Sequence, residues 1–198
     1  MKTIETERLI LGKWSRKDAK DLFEYAKGPN VGPNAGWAPH ENVADSKMRI
    51  KKVFLPSGIW KISMKGEGRA IGSIGFEDDK RRIDMRSKEL GYSLSEEYWG
   101  RGIMTEAAAA VLDYGFREME LEVVSIVTSP DNKRSLRVIE KLGFTYEGTL
   151  RDASMSYDGI VKDTMCFSML RGEWESSAPE TPPWKEVSGK EAKAEKKR

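Results

Sequence analysis

The apolar residues of the chain repeat with the two-residue period of strands in some segments and with the 3.6-residue period of helices in others. Residues 8–14 alternate apolar and polar positions, as a half-buried strand does. Residues 16–27 place their apolar side chains on one side of a helix, and Gly28-Pro29 ends it. The same analysis predicts further strands at residues 59–64, 70–77, 89–94, 122–128, 144–150 and 162–170. It predicts further helices at residues 42–54, 104–118 and 132–142.

Two kinds of connection join these elements. Residues 65–68 form a short glycine-containing turn between two strands, which is typical of a hairpin. The helix at 104–118 instead lies between two strands, as in a crossover connection. The order β α α β β β α β α β β therefore predicts an α/β (α+β) domain, with one mixed sheet and helices on both faces.

Composition divides the chain into a body and a tail. Residues 1–174 carry nearly all the large apolar residues, whereas residues 175–198 contain one Val, one Trp and three prolines among many Lys and Glu. Such a segment buries too little apolar surface to offset the entropy of ordering it. We therefore predict one domain over residues 1–174 and a polar, disordered tail over 175–198. The tail is either solubilising or, through its basic end, a tether to a ribosome or nucleic acid.

Charge and residue counts exclude several classes of function. The chain of 198 residues has 34 Lys and Arg against 32 Asp and Glu, so its net charge of +2 argues against a nucleic-acid partner. Cys166 and His40 are the single residues of their types, which excludes a cysteine zinc cluster, a multi-histidine metal site and an internal disulfide. We expect no metal. The short apolar runs and the charged start predict a cytoplasmic protein without membrane contact.

Residues 91–107 carry the clearest chemical signal. A predicted strand ends, the loop Gly100-Arg101-Gly102 follows, and a helix begins. Glycines let the backbone approach a ligand closely, and unpaired N–H groups at a helix start favour an anion such as pyrophosphate. The spacing matches neither the dinucleotide-binding motif nor the P-loop, and a simple strand-to-helix turn has similar residues.

Several motifs, in this order, resemble the GNAT acyl-CoA N-acetyltransferases, and in particular their RimJ/RimL-like branch. The motifs are Glu7-Arg8-Leu9-Ile10-Leu11, Tyr98-Trp99-Gly100-Arg101-Gly102, Met104-Thr105-Glu106-Ala107, Asn132-Lys133-Arg134-Ser135, Lys141-Leu142-Gly143-Phe144 and Glu147-Gly148. One departure is Glu97, which stands where the family's pyrophosphate motif has Gln or Arg. The resemblance covers about residues 6–171. It implies the GNAT fold, in which the sheet is mostly antiparallel and twisted and its central parallel strands splay apart.

The resemblance implies that acetyl-CoA is the acetyl donor and that its pantetheine arm lies between strands 89–94 and 122–128. A backbone N–H near Ser93 and Leu94 then polarises the thioester carbonyl. Asn132 is expected to bind the pantetheine arm or the 3′-phosphoadenosine. The residues expected to hold the pyrophosphate through main-chain groups are Arg101, Gly102, Ile103, Met104 and Thr105. Lys133 and Arg134 are either phosphate contacts or a solvated helix start.

The implied reaction is direct attack of a primary amine on the thioester in a ternary complex. The departing thiolate needs a proton or a hydrogen bond. Many GNAT enzymes use a tyrosine seven residues after the asparagine, but this chain has Ile139 there. Ser135 stands where the RimL-like branch has a serine that serves instead, so we expect Ser135 to be the donor.

The general base and the acceptor stay open at this stage. Glu89, Glu77, Asp152 and His40 are candidate bases, although Glu89 is equally compatible with a solvated strand end. His40 and Trp37 lie in the loop 28–40, which in such enzymes covers the acceptor side. RimL-type enzymes tend to have a glutamate where this chain has Ser154.

The acceptor is therefore either a protein N-terminal α-amine or a small-molecule amine. An alternative hypothesis is a catalytically silent acyl-CoA-binding module that acts as a sensor or interaction protein. The intact Ser135 and the unbroken Gly100 and Gly102 loop favour the enzyme. A monomer and a homodimer are both compatible with the sequence.

Overall fold

The computed structural model describes residues 1–187, in which one sheet has helices on both faces. Its strands are β1 (Ile4–Glu5), β2 (Leu9–Lys13), β3 (Trp60–Met64), β4 (Gly72–Asp78), β5 (Ser87–Leu94), β6 (Val123–Thr128), β7 (Thr145–Met155), β8 (Val161–Leu170) and β9 (Lys185–Glu186). Its helices are α1 (Ala19–Ala26), α2 (Val43–Arg49), α3 (Ile103–Arg117), α4 (Lys133–Lys141) and α5 (Arg171–Ser177). Within residues 1–187, no helix has both the length and the apolar composition needed to cross a bilayer.

The strand order is β7-β8-β6-β5-β4-β3-β2-β1-β9. In the part of the chain that the structure describes, β5 and β6 are parallel and all other neighbouring strands are antiparallel. The predicted α/β (α+β) class, with a single mixed and mostly antiparallel sheet, is confirmed.

Two apolar cores hold the helices against opposite faces of the sheet. Val111 and Phe116 of α3 belong to one core, together with Ile74 and Leu90 of the sheet. Leu22 of α1 belongs to the other core. The alternation of side chains along the strands produces this division, because neighbouring residues point to opposite faces.

The two parallel strands part after three paired positions. Ser87, Lys88 and Glu89 of β5 pair with Val123, Val124 and Ser125 of β6. Beyond this point β5 stays paired with β4 as far as Leu94, and β6 stays paired with β8 as far as Thr128. A gap between β5 and β6 follows, so the predicted splay of the central strands is confirmed.

The sequence pattern did not reveal β1, β9 and α5, and it ended β7 too early. Two-residue strands are too short to show a period. Strand β7 runs to Met155 instead of residue 150, and its residues are almost all exposed. Shifts of register interrupt its pairing with β8 after Tyr146 and after Leu150, so its residues do not alternate as those of a half-buried strand do.

We predicted a disordered tail from residue 175, but residues 175–187 contain the end of α5 and the strand β9. Strand β9 pairs with β1, and the Trp184 ring lies 5.7 Å from the Tyr114 ring. The Trp184 indole Nε1 donates a hydrogen bond of 2.8 Å to Oδ2 of Asp113, a side chain of α3 that is only 1% exposed as a residue. The pairing of β9 with β1, the docked Trp184 side chain and a hydrogen bond of 2.7 Å from Arg117 to the Pro179 carbonyl together hold a segment whose average composition predicted disorder. The rest of the predicted tail, with the basic end of the tether hypothesis, lies outside the described residues.

Trp184→Ala tests this docking. It removes the ring contact with Tyr114 and the hydrogen bond to a buried carboxylate, so we expect the free energy of unfolding to fall by about 2 kcal/mol. Trp184→Phe keeps a ring but not the N–H donor, so its loss is expected to be smaller. Urea unfolding followed by circular dichroism measures both values. Equal stability of Trp184→Ala and the parent chain would contradict the docking.

Candidate active site

A cleft of about 320 Å³ opens where β5 and β6 part. The start of α3, the side of α4 and residues of the loop 28–40 form its walls. Its lining includes eight of the residues that the sequence assigned to the site: Ser93, Leu94, Gly102, Ile103, Met104, Thr105, Asn132 and Ser135. Five other assigned residues, Arg101, Glu89, Trp37, His40 and Glu77, are not in the lining.

The loop before α3 has the geometry of an anion site. Gly100 and Gly102 have φ angles of 75° and 73°, a left-handed conformation that residues with a Cβ rarely adopt. The N–H of Glu106 makes the first helical hydrogen bond, to the Gly102 carbonyl. The N–H groups of the three preceding helical residues therefore have no helical partner and lie at the positive end of the α3 dipole. These features fit a pyrophosphate.

Arg8 supports this loop from β2. Its Nη1 donates to the Arg101 carbonyl at 3.1 Å, and its Nε donates to the Glu106 carboxylate at 2.6 Å. Thr6 Oγ1 donates to the same carboxylate at 2.6 Å. Burial alone would raise the pKa of Glu106, but the hydrogen bonds from Thr6 and Arg8 hold it below its usual value. The opening motif of the chain thus positions the loop, a role that sequence reasoning did not assign.

The end of β5 presents a main-chain donor to the gap. The N–H of Ser95 donates to the Ile71 carbonyl at 2.8 Å, on the β4 side. Because successive N–H groups of a strand point to opposite edges, the N–H of Leu94 points away from β4 and into the gap. The Trp99 indole N–H donates to the Leu94 carbonyl at 2.9 Å, and the Arg134 guanidinium lies 4.0 Å from the Trp99 ring centre.

Ser135 lies at the start of α4 and contacts a tyrosine of β5. The hydroxyls of Ser135 and Tyr92 are 2.9 Å apart, and both residues line the cleft. Burial raises the pKa of Tyr92 to about 12, although its hydrogen bond with Ser135 acts in the opposite direction. Sequence reasoning missed Tyr92. The available signal was its position two residues from Leu94, which places both side chains on the same face of β5.

Asn132 caps α4 and connects it to the loop 28–40. Its Oδ1 accepts from the Ser135 N–H at 3.2 Å, and its Nδ2 donates to the Asn34 carbonyl at 3.3 Å. The expected contact of Asn132 with the pantetheine arm stays a prediction. Of the two basic residues that follow, Arg134 lines the cleft, whereas Lys133 donates to the Pro130 carbonyl of its own loop.

The other face of β4 and β5 carries three pairs of facing residues. These pairs are Ser73 with Ser93, Gly75 with Gly91, and Glu77 with Glu89. The two serine hydroxyls are 2.9 Å apart. A Cβ on Gly91 would meet no atom within 4 Å, so this face is open beside β5.

The candidate bases lie in different surroundings. Glu89 accepts a hydrogen bond from the Arg81 guanidinium where β5 and β6 begin to part, and Glu77 is exposed. His40 has its ring centre 5.0 Å from that of Trp37, and its Nδ1 is 2.8 Å from the Ser46 hydroxyl. Burial and then the charge of Arg49 lower the pKa of His40, so its imidazole is neutral at pH 7. Asp152 lies on the exposed strand β7.

Comparisons with known proteins agree with this geometry. The model of the acetyltransferase (GNAT) domain matches residues 8–145. An uncharacterized N-acetyltransferase of Bacillus licheniformis, p20, is 30% identical over 181 residues, which are 88% of this chain and 99% of p20. The uncharacterized N-acetyltransferase YoaA of Bacillus subtilis is 30% identical over 85% of this chain and 96% of its own length.

A solved structure has the same architecture. The crystal structure of a GNAT-family acetyltransferase from Bacillus anthracis superposes with a TM-score of 0.78 at 26% identity, over 86% of this chain and 99% of that chain. The match of the domain model covers more than half of the chain, and the relatives match it over most of their lengths. The chain therefore belongs to the GNAT acetyltransferase family.

Proposed function

We propose that this protein transfers an acetyl group from acetyl-CoA to a primary amine by direct attack of the amine on the thioester. The acceptor is a protein N-terminal α-amine or a small-molecule amine. The observation that carries the proposal is the meeting of three groups in one cleft: the anion site before α3, the Leu94 N–H and the Ser135 hydroxyl. The names of p20 and YoaA agree with the reaction and specify no acceptor.

Acetyl-CoA supplies the activated acetyl group, and the chain supplies main-chain contacts for it. The N–H groups of Ile103, Met104 and Thr105 are available to the pyrophosphate. Arg8 holds the loop that carries them through the Arg101 carbonyl. The unpaired edges of β5 and β6 offer amide partners to the pantetheine arm.

The Leu94 N–H is the proposed donor to the thioester carbonyl. A fixed donor stabilises the negative charge that develops on this oxygen during attack, and one such donor contributes about 10²- to 10³-fold in rate. Its position depends on β4, which holds Ser95 beside it, and on Trp99, which holds the Leu94 carbonyl.

The Ser135 hydroxyl is the proposed proton donor to the departing thiolate. Its hydrogen bond with Tyr92 allows the phenol to return a proton to Ser135. The raised pKa of Tyr92 keeps the phenol protonated at neutral pH. The proton that the amine nitrogen loses on becoming an amide replaces, through solvent, the one that Tyr92 passes to Ser135. Tyr92 on β5 thereby brings a phenol to Ser135, although Ile139 stands where many relatives have a tyrosine.

The acceptor amine must lose a proton before it attacks. At pH 7 this costs about 1.4 kcal/mol for an α-amine with a pKa near 8, but roughly 4–5 kcal/mol for a lysine-like amine. The ion pair of Glu89 with Arg81 disfavours this carboxylate as a base. We therefore favour an acceptor that deprotonates readily, with water taking the proton.

A screen for CoA release tests the proposed reaction. The purified full chain is incubated with acetyl-CoA and with peptides that have free N-termini, polyamines, aminoglycosides and amino acids. We expect CoA release above the amine-free rate with at least one class. Acetyl-CoA binding without release across the whole panel would contradict the enzyme and support the silent acyl-CoA-binding module.

Gly102→Trp tests the anion site. A side chain at this left-handed position distorts the loop and covers the α3 N-terminus, so we expect acetyl-CoA affinity to fall at least about 100-fold. Titration calorimetry measures it. The matched control is Gly66→Trp, because Gly66 has a similar φ of 81° but lies in the β3–β4 turn. Normal binding by Gly102→Trp, or equal loss in both variants, would contradict the site.

Ser135→Ala and Tyr92→Phe test the proton path. We expect Ser135→Ala to lower kcat about 100-fold and Tyr92→Phe to lower it about tenfold, with smaller changes in the acceptor KM. The double variant is expected to resemble Ser135→Ala, because both hydroxyls act on one proton. Ser176→Ala, on exposed α5, is the control. An unchanged kcat in Ser135→Ala would remove this residue from the mechanism.

A further inference from the structure

The last residue of α2, Arg49, has an unusual environment. Its guanidinium carbon lies 5.7 Å from the ring centre of Trp37 and 5.7 Å from that of Phe54. Its Nε is buried and, within residues 1–187, has no hydrogen-bond partner. Over the same residues, no carboxylate oxygen lies within 4.0 Å of its nitrogens. This places a cation between two aromatic rings without an ion pair.

This arrangement has an energetic cost. A guanidinium presents five N–H donors, and burying a donor without a partner costs roughly 1–3 kcal/mol. The faces of Trp37 and Phe54 attract the cation but do not replace the missing acceptor for Nε. The buried Nε is out of reach of a ligand, but the two Nη groups are not among the buried atoms and make no hydrogen bond within residues 1–187, so they are the donors left for a ligand with acceptor oxygens.

The charge of Arg49 acts on the acceptor side of the sheet. It lowers the pKa of His40, second to burial, and Glu77 in turn raises the pKa of Arg49 against the effect of burial. Glu77 lies beside Glu89 on the face that is open at Gly91. Ser93, at the other side of Gly91 along β5, leads to the proposed thioester position at Leu94.

Two titratable groups near Arg49, Glu77 and Tyr25, do not neutralise its positive charge by an ion pair. Glu77 is exposed and makes no ion pair with Arg49 among the described residues. Tyr25, whose buried hydroxyl lies beside the Ser73 and Ser93 hydroxyls, has its pKa raised to about 12 by burial and is therefore neutral. Over the part of the chain that the structure describes, Arg49 is thus a cation without an ion-pair partner on the side of the sheet from which the proposed acceptor approaches.

We propose that Arg49 binds a carboxylate of the acceptor, so that the preferred acceptor is a small amine that also carries a carboxylate, such as an amino acid. This inference rests on the proposed acetyltransferase function. The planar guanidinium matches a carboxylate with two parallel hydrogen bonds, which gives both affinity and orientation. A polyamine would instead bring a second cation toward Arg49, so the same residue disfavours polyamines.

The test compares matched acceptors in the full chain and in Arg49→Gln. Each amino acid with a free carboxylate is paired with its carboxamide, and spermidine is the polyamine probe. A carboxylate raises the pKa of the neighbouring amine, so kcat/KM is expressed per concentration of neutral amine. On that scale we expect the parent chain to have a higher kcat/KM for the carboxylates than for the amides or spermidine. Arg49→Gln is expected to raise the KM for carboxylates about 10- to 100-fold and to change the KM for amides by less than about threefold.

Controls separate recognition from folding. Arg49→Lys keeps the positive charge, so it is expected to retain part of the preference for carboxylates that Arg49→Gln loses. Arg16→Gln removes an exposed cation and is expected to change nothing. Urea unfolding and acetyl-CoA affinity show whether Arg49→Gln is folded, and the comparison of acceptors in the parent chain needs no variant.

Two results overturn the inference and leave the proposed function intact. The first is that the parent chain uses amides or spermidine as well as carboxylates, per concentration of neutral amine. The second is that Arg49→Gln loses activity equally with both acceptor types. Absence of CoA release with every amine contradicts the proposed function instead. In that case, titration of amino acids and their amides into the acetyl-CoA-bound protein decides the inference. Carboxylate-dependent binding that Arg49→Gln abolishes supports it, and its absence overturns it.

Discussion

The separation of β5 from β6 is the constraint on which the rest of the structure depends. Strands in a sheet satisfy their main-chain groups by pairing, and these two strands stop pairing after Glu89 and Ser125. The Arg81 guanidinium donates to both of these residues, so it joins the strands where they part. Beyond it, main-chain groups stay available for a ligand that can pair with them as a strand does.

The alternation of strand β5 divides the chemistry between two sides. The Leu94 N–H lies in the plane of the sheet and points into the gap. Tyr92 projects toward α4 and Ser135, whereas the side chains of Ser93 and Glu89 project toward the face beside α1 and α2. In the proposed mechanism, the thioester at the Leu94 N–H therefore has the Tyr92 and Ser135 hydroxyls on one side and the acceptor on the other.

The sequence predicted those features of the fold and the site that are encoded by residues close together in the chain. The glycine loop before α3, the Asn132 cap and Ser135 are encoded within a few residues, and the structure brings them into one cleft. The mixed sheet was predicted because the sequence contains both hairpin turns and helical crossover connections. By contrast, the Tyr92–Ser135 contact joins residues 43 apart in the chain, and it depends on the position of α4 relative to β5. Arg49 gave no sequence signal, since its environment comes from side chains of separate segments. The prediction of disorder over the tail averaged its composition and so missed the local contacts of Trp184 and β9 within residues 175–187.

The contact of Arg8 with the Arg101 carbonyl has a consequence for how the protein folds. The two residues are 93 positions apart, so the chain must close a long loop before this contact forms. Helix α3 and its glycine turn are local and can form early, but the turn is held in place only when the N-terminal strand has joined the sheet. If the donor binds at this loop as proposed, its binding depends on a contact between distant parts of the chain and is therefore a property of the completed fold.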